Sequence, residues 1–217
     1  MTDICLFDLD GTLTDPKEGI TKSVRYALEH FSVEVRSLDE LEKFIGPPLK
    51  DSFQEFYGFS ESEAELAIAK YREYFTDKGI FENIPYKGLF EMLENLKNNG
   101  ITMAIATSKP TVFAKKIAEH FKFNQYFEFI AGSELDGTRS RKAEVIEYVL
   151  DSIDPSRQKS AIMIGDRKHD IIGAKEMNIP SIGVTWGYGS RAELEEAKPS
   201  WLVSSFDELC SVVFLKK

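Results

Sequence analysis

Short apolar runs separated by longer amphipathic stretches constrain this chain more than any other feature. ICLF at 4–7, TMAIAT at 102–107, AIMIG at 161–165 and SIGV at 181–184 are bounded by Gly, Pro or charge and do not clearly alternate. That is the pattern of strands buried on both faces. FEFIAG at 127–132 and WLV at 201–203 are weaker strand candidates. Between the runs, Leu89, Met92, Leu93 and Leu96 mark a helix closed by Gly100. Val112, Phe113, Ile117 and Phe121 mark a second, with Pro110 near its start. Val145, Ile146, Val149 and Leu150 mark a third, and Ile171, Ile172 and Ala174 a fourth. Such alternation predicts an α/β fold, a parallel sheet with helices on both faces. Ligands bind such sheets beyond the carboxyl ends of the strands. Asp8, Thr107 and Asp166 all fall at those ends.

Residues 15–83 break the alternation, with no convincing strand. Ile20, Val24, Ala27, Leu28 and Phe31 follow a helical period, as do Ala64, Ala67, Ile68, Tyr71 and Phe75. Ser60 and Glu63 have the spacing of a capping box at the start of the second of these helices. FIGPPL at 44–49 is a Pro–Gly break. The expected organisation is a core of 1–14 and 84–217 interrupted by a helical insert, placed to act as a lid over the first strand's end.

The formal net charge of −9 argues against a nucleic-acid or anionic-membrane surface. Cys5 and Cys210 lie in the first and last apolar runs and are expected to be reduced, buried thiols. No basic leader followed by an apolar stretch and no run near ~18 apolar residues is present, so the cytoplasm is the expected compartment.

The chemistry-bearing residues gather at the strand ends. Asp8 and Asp10 are separated by one residue; in an unbent strand their carboxylates would lie side by side and repel. Thr107-Ser108-Lys109 ends the second strong strand, and GDRKHD, with Asp166 and Asp170, follows the third. Arg139, Arg141 and Lys142 precede a helix; a cation at a helix N-terminus opposes the dipole, at a cost of ~0.3–1 kcal/mol, which a bound phosphate would offset. Four carboxylates at one edge call for a cation, and hard oxygen donors suit Mg²⁺. Hydroxyls, helix-start N–H groups and a lysine suit a phosphate. Taken singly, each signal has a plain alternative: a turn or N-cap for Asp8 and Asp10, a capped helix for Asp166 and Asp170, a solvated lysine for Lys142. His169 is expected to face solvent, and His30 and His120 to sit near helix ends.

FDLDGTLTD, ATSKP, SRKAEVI and IGDRKHDIIGA resemble, in order and spacing, the four motifs of the haloacid-dehalogenase superfamily of phosphohydrolases. The insert resembles the helical cap of the phosphoglycolate phosphatase-like branch, and GSELDGTRSRKAEVI and GDRKHD look most like bacterial phosphoglycolate phosphatases or 5′-nucleotidases. The resemblance implies a Rossmann-like, doubly wound core with an inserted α-helical cap domain. It implies a nucleophile at Asp8, an acid/base at Asp10, phosphate binding by Thr107, Ser108 and Lys142, and stabilisation of the nucleophile by Lys142. Asp8, the Asp10 carbonyl, Asp166 and Asp170 would hold Mg²⁺. Ser108 stands where many relatives have Asn. The implied activity is hydrolysis of a small phosphate ester, phosphoglycolate or a nucleoside 5′-monophosphate. A phosphomutase would share every core residue; a dehalogenase is opposed by Asp10, and a non-enzymatic phospho-acceptor by the insert. For substrate recognition the candidates are the GPPL loop, Lys22, Arg25, Lys50 and Arg191, while Phe53, Phe56 and Tyr57 are expected in the core of the insert.

Overall fold

A computed structural model of the chain describes residues 3–153 and 160–215. The chain runs β1 (Ile4–Phe7), β2 (Thr14–Asp15), α1 (Lys17–His30), a 3-10 segment (Leu38–Phe44), α2 (Leu49–Tyr57), α3 (Glu61–Tyr74), a π-helical turn (Phe75–Gly79) and β3 (Ile84–Pro85). It continues through α4 (Leu89–Asn98), β4 (Thr102–Pro110), α5 (Thr111–His120), β5 (Phe129–Ser133), α6 (Lys142–Ser152), β6 (Ala161–Gly165), α7 (Lys168–Glu176), β7 (Ser181–Val184), α8 (Arg191–Ala197), β8 (Trp201–Val203) and α9 (Phe206–Leu215). It forms two compact units, 1–14 with 85–217, and 15–84.

The larger unit holds a six-stranded sheet in the order β5-β4-β1-β6-β7-β8, parallel throughout. Its strands step outward from β1 in both directions, so the topological switch lies at β1. The register sets the site: Phe7 pairs with Ile105 on one side and Ile164 on the other, leaving Asp8 level with Ala106 and Gly165. On one face, Leu6, Ala104, Ala106, Ala131 and Met163 pack against Val145, Ile146 and Val149 of α6 and Ala174 of α7. The small side chains at 104 and 106 let α6 lie close to the sheet. Phe7 points the other way, edge-on to Phe127 at 6.1 Å. Cys5 shares that face and lies near enough to Cys210 of α9 that, with burial foremost, its thiol is held well above the ordinary range. Both thiols are free and buried. Among the described residues no helix is long and apolar enough to cross a membrane.

The strong strand runs form β1, β4, β6 and β7, and the weaker ones β5 and β8. The expected strand at 102–107 extends to Pro110, with a register irregularity between Ala106 and Pro110. Gly100 follows α4 at φ +72°, a backbone region that favours glycine.

The second unit is helical. The two periodic stretches form α1 and α3, and the capping box is present: the Glu63 N–H donates to Ser60 Oγ at 3.3 Å, and the Ser60 N–H donates to Glu63 Oε2 at 2.8 Å. α2 and the 3-10 segment are not among the helices expected from the sequence, although Leu49, Phe53, Phe56 and Tyr57 of α2 recur at helical spacing; the 3-10 segment carries only Leu38, Leu41 and Phe44, and the aromatics of the two elements pack into one cluster. Phe53 is fully buried in it, 5.0 Å from Phe44 and 5.8 Å from Phe59 between ring centres. Phe56 also touches Phe44. Removing a buried phenyl group and leaving a cavity costs about 3–5 kcal/mol. Phe53→Ala is expected to lower stability by that amount in urea unfolding; a loss under about 1 kcal/mol would mean the cluster is not the core of this unit.

Candidate active site

Asp8 is the first residue beyond β1. Its N–H continues the ladder to the Ile164 carbonyl (2.9 Å), and its Oδ1 accepts the Leu9 N–H (2.8 Å). The chain then turns. The Leu9 carbonyl accepts N–H groups from Leu13 (2.9 Å) and Thr14 (3.1 Å), and Gly11 takes φ +79°. The turn separates the environments of the two aspartates, so the side-by-side pair of an unbent strand does not form, and each carboxylate meets its own lysine.

Lys142, the first residue of α6, ion-pairs with Asp8 Oδ1 at 3.1 Å and Asp170 Oδ1 at 2.7 Å, and donates to the Ala106 carbonyl at 3.1 Å. Burial acts to strip its charge, but Asp170 and Asp8 outweigh burial and hold its pKa above the ordinary lysine range. Lys109 meets Asp10 Oδ2 at 2.7 Å, with both side chains nearly excluded from solvent. Burial pushes the Asp10 carboxyl up, Lys109 pulls it down, and Asp8 pushes it up again.

Asp166 accepts the Thr12 hydroxyl at Oδ1 (3.1 Å) and the Tyr188 N–H at Oδ2 (2.7 Å). The Trp186 indole N–H donates to the Thr12 carbonyl at 3.1 Å, tying the loop after β7 to the turn after β1. A side chain at Gly187 would collide with the Asp166 carboxylate, so the loop must be glycine to close on it. Asp170 Oδ2 accepts the Arg167 N–H at the start of α7 (3.0 Å), while its Oδ1 contacts Lys142 without a directed hydrogen bond. Burial, with Asp170 and Asp8 nearby, pushes Asp166 up to about 8; burial, pulled back by Lys142, leaves Asp170 at about 6.

Oxygens of Asp8, Asp166 and Asp170 lie within 4.8 Å of one another. Three buried carboxylates, two of them forced toward protonation, form an all-oxygen donor set that fits a hard divalent cation such as Mg²⁺. The Asp10 carboxylate is outside this trio.

Thr107 is buried and its Oγ1 accepts the Lys109 N–H (3.2 Å). The Ser108 carbonyl accepts the Ser133 hydroxyl (2.8 Å). Of the basic cluster, only Lys142 joins the carboxylates. Arg139 pairs with Glu134 and lies over the Tyr148 ring, and Arg141 pairs with Glu176. The candidate recognition cations are taken up locally: Lys22 by Glu18 and Glu82, Arg25 by Glu29, Lys50 by Glu61 and Arg191 by Glu195. His169 does not face open solvent; it is half-buried, and burial, with Arg167 and Lys168, lowers its pKa. The pairings of Lys109 with Asp10 and of Tyr188 with Asp166 were missed. The first had a signal: in a strand, Lys109 shares a face with Thr107. The second is a backbone contact across 22 residues and carries none.

An aspartate whose folded pKa exceeds its unfolded value binds a proton more tightly when folded. Its stabilisation is full below the unfolded pKa, near 4, and is lost as pH rises through the folded value. In protein freed of divalent cations, Asp166→Asn should therefore gain stability relative to the parent as pH rises from about 4 to about 8. The ceiling is about 1.4 kcal/mol per unit separating the two pKa values. Added Mg²⁺ at pH 8 should reverse the ranking. Melting curves of the pair across this range check it, and a constant difference would contradict the assigned environment of Asp166.

The family model for haloacid dehalogenase-like hydrolases matches residues 5–184. The chain is 49% identical over 195 residues to a 5′-nucleotidase of Pseudomonas aeruginosa, covering 90% of this chain and 88% of that protein. It is 37% identical over 209 residues to the tyrosine-protein kinase PtkA of Mycobacterium tuberculosis, covering 95% of this chain and 70% of that protein. The crystal structure of a predicted phosphatase from Clostridium acetobutylicum superposes with a TM-score of 0.94 at 52% identity, over 99% of both chains. With the parallel sheet and the carboxylate–lysine edge, these likenesses make the chain a member of the haloacid dehalogenase-like hydrolase family, among its phosphatases.

Proposed function

We propose that the protein is a Mg²⁺-dependent phosphomonoester hydrolase that works through an aspartyl phosphate on Asp8. The observation that carries this reading is the buried Lys142 ammonium shared between Asp8 and Asp170, beside the cluster formed by Asp8, Asp166 and Asp170. A carboxylate approaching a phosphate dianion is repelled, and Lys142 offsets that repulsion at the nucleophile itself. Thr107 and Ser108, one strand over, would hold phosphoryl oxygens.

The reaction divides into two displacements. An Asp8 oxygen bonds to phosphorus as the ester P–O bond breaks, and Asp10 gives its proton to the departing oxygen. Asp10, now anionic, takes a proton from water as the water oxygen bonds to phosphorus and the Asp8–phosphorus bond breaks, releasing phosphate and restoring both carboxyls. A divalent cation held by Asp8, Asp166, Asp170 and the Asp10 carbonyl would neutralise the carboxylates and polarise the phosphoryl group.

For the substrate, we infer a small cytosolic phosphate ester, a nucleoside 5′-monophosphate or phosphoglycolate. The relative named 5′-nucleotidase, at 49% identity over nearly the whole chain, supports the nucleotide. Residues 15–84, inserted just after Asp10, are assigned the role of a cap over the substrate.

The test is phosphate release from nucleoside 5′-monophosphates, phosphoglycolate, hexose phosphates and pyrophosphate, with Mg²⁺ or with chelator. Release is expected to need the metal, and Asp8→Asn is expected to lose at least about a thousandfold in kcat with the fold intact. Substantial turnover by Asp8→Asn would refute the covalent route. Isomerisation of a hexose phosphate without phosphate release would replace hydrolysis by a mutase reaction.

A further inference from the structure

Lys109 stands apart from the machinery described so far. It is a lysine near the end of a strand that is otherwise buried and largely apolar, and its side chain is nearly excluded from solvent. The backbone is shaped to turn it inward. The β4–β5 register breaks between Ala106 and Pro110, the Lys109 N–H folds back onto Thr107 Oγ1 at 3.2 Å, and the Lys109 carbonyl packs onto Gly132 so closely that no side chain fits there. The ammonium then meets one oxygen of Asp10, Oδ2, at 2.7 Å. The other oxygen, Oδ1, is buried and has no hydrogen-bond partner among the described residues. Lys142 serves Asp8 and Asp170, so the two lysines pair with different carboxylates.

We propose that Lys109 is a positioning residue: it occupies Oδ2 of Asp10 and fixes the carboxyl so that Oδ1 is the atom that exchanges protons with the leaving group and with water. The inference rests on the acid/base reading of Asp10 above. Lys109 touches neither the ester oxygen nor phosphorus in this scheme. A carboxyl anchored at one oxygen keeps the other on the line of proton transfer, where small misplacement is costly. The proton moves from Oδ1 to the ester oxygen as the P–O bond breaks, and returns from water to Oδ1 in the second displacement. Lys109 keeps its protons throughout.

The distinguishing experiment uses kcat/KM, which reports the step in which the leaving group departs. The probes are p-nitrophenyl phosphate, whose leaving group needs no proton, and ethyl phosphate, whose leaving group does. Asp10→Asn is expected to lose about 10²–10⁴-fold more on ethyl phosphate than on p-nitrophenyl phosphate. Lys109→Met is expected to show the same selectivity at about 10–100-fold, with Lys109→Arg recovering most of it. In an Asp10→Asn background, Lys109→Met should add nothing on either probe, and this uncharged pair also avoids stranding a buried carboxylate. If Asp10→Asn shows no preference between the probes, the acid/base reading fails. If Asp10→Asn shows it but Lys109→Met lowers both probes equally, or still lowers them in the Asp10→Asn background, Lys109 binds phosphate or only supports the fold, and the positioning role is overturned.

Discussion

The buried ion pairing of Lys142 with Asp8 and Asp170 is the contact on which the rest of the site depends. Four buried carboxylates gathered at one edge of the sheet, Asp8, Asp10, Asp166 and Asp170, are unfavourable away from water. Removing one partner of such a pair leaves a bare buried charge, at a cost of about 3–5 kcal/mol. Lys142 opens α6, where a positive charge works against the helix dipole, so the carboxylates must hold it there. They are able to because α6 packs on the small residues Ala104 and Ala106, which brings the helix start down to the end of β1. Sheet register, helix packing and site electrostatics are therefore one arrangement.

The same edge gives two neighbouring aspartates different surroundings. Asp8 and Asp10 differ because the turn at Leu9–Gly11 hands one to Lys142 and the other to Lys109. Asp166, by contrast, forms no ion pair among the described residues; it has a hydroxyl, a backbone N–H and a tight glycine loop. Burial, with Asp170 and Asp8 nearby, raises its pKa.

Much of this was legible in the sequence, for definite reasons. The strands of a fully covered parallel sheet read as unbroken apolar runs, and β1, β4, β6 and β7 did. Asp8, Thr107 and Asp166 sit directly at the ends of three such runs, and a parallel sheet brings its carboxyl ends to one edge. Lys142 was legible because a lysine opening a helix is locally unfavourable. What escaped was set by packing. α2 is too short, at nine residues after Pro47-Pro48, for its spacing of Leu49, Phe53, Phe56 and Tyr57 to stand out, and its burial comes from contact with Phe44 and Phe59 outside the helix. Solvated and paired cations look alike in a sequence, so the carboxylate partners of Lys22, Lys50 and Arg191 are visible only in the structure.

The amino-acid sequence by itself determined the α/β architecture and which residues stand directly at the strand ends, because hydrophobic periodicity and strand-end placement are local properties of the chain. Only the tertiary structure decided which lysine serves which aspartate, that one oxygen of Asp10 has no hydrogen-bond partner among the described residues, and that the loop at Gly187–Tyr188 closes on Asp166. Those outcomes depend on distances of a few ångströms between segments far apart in the chain, where a charge is strong or negligible according to how deeply it is buried.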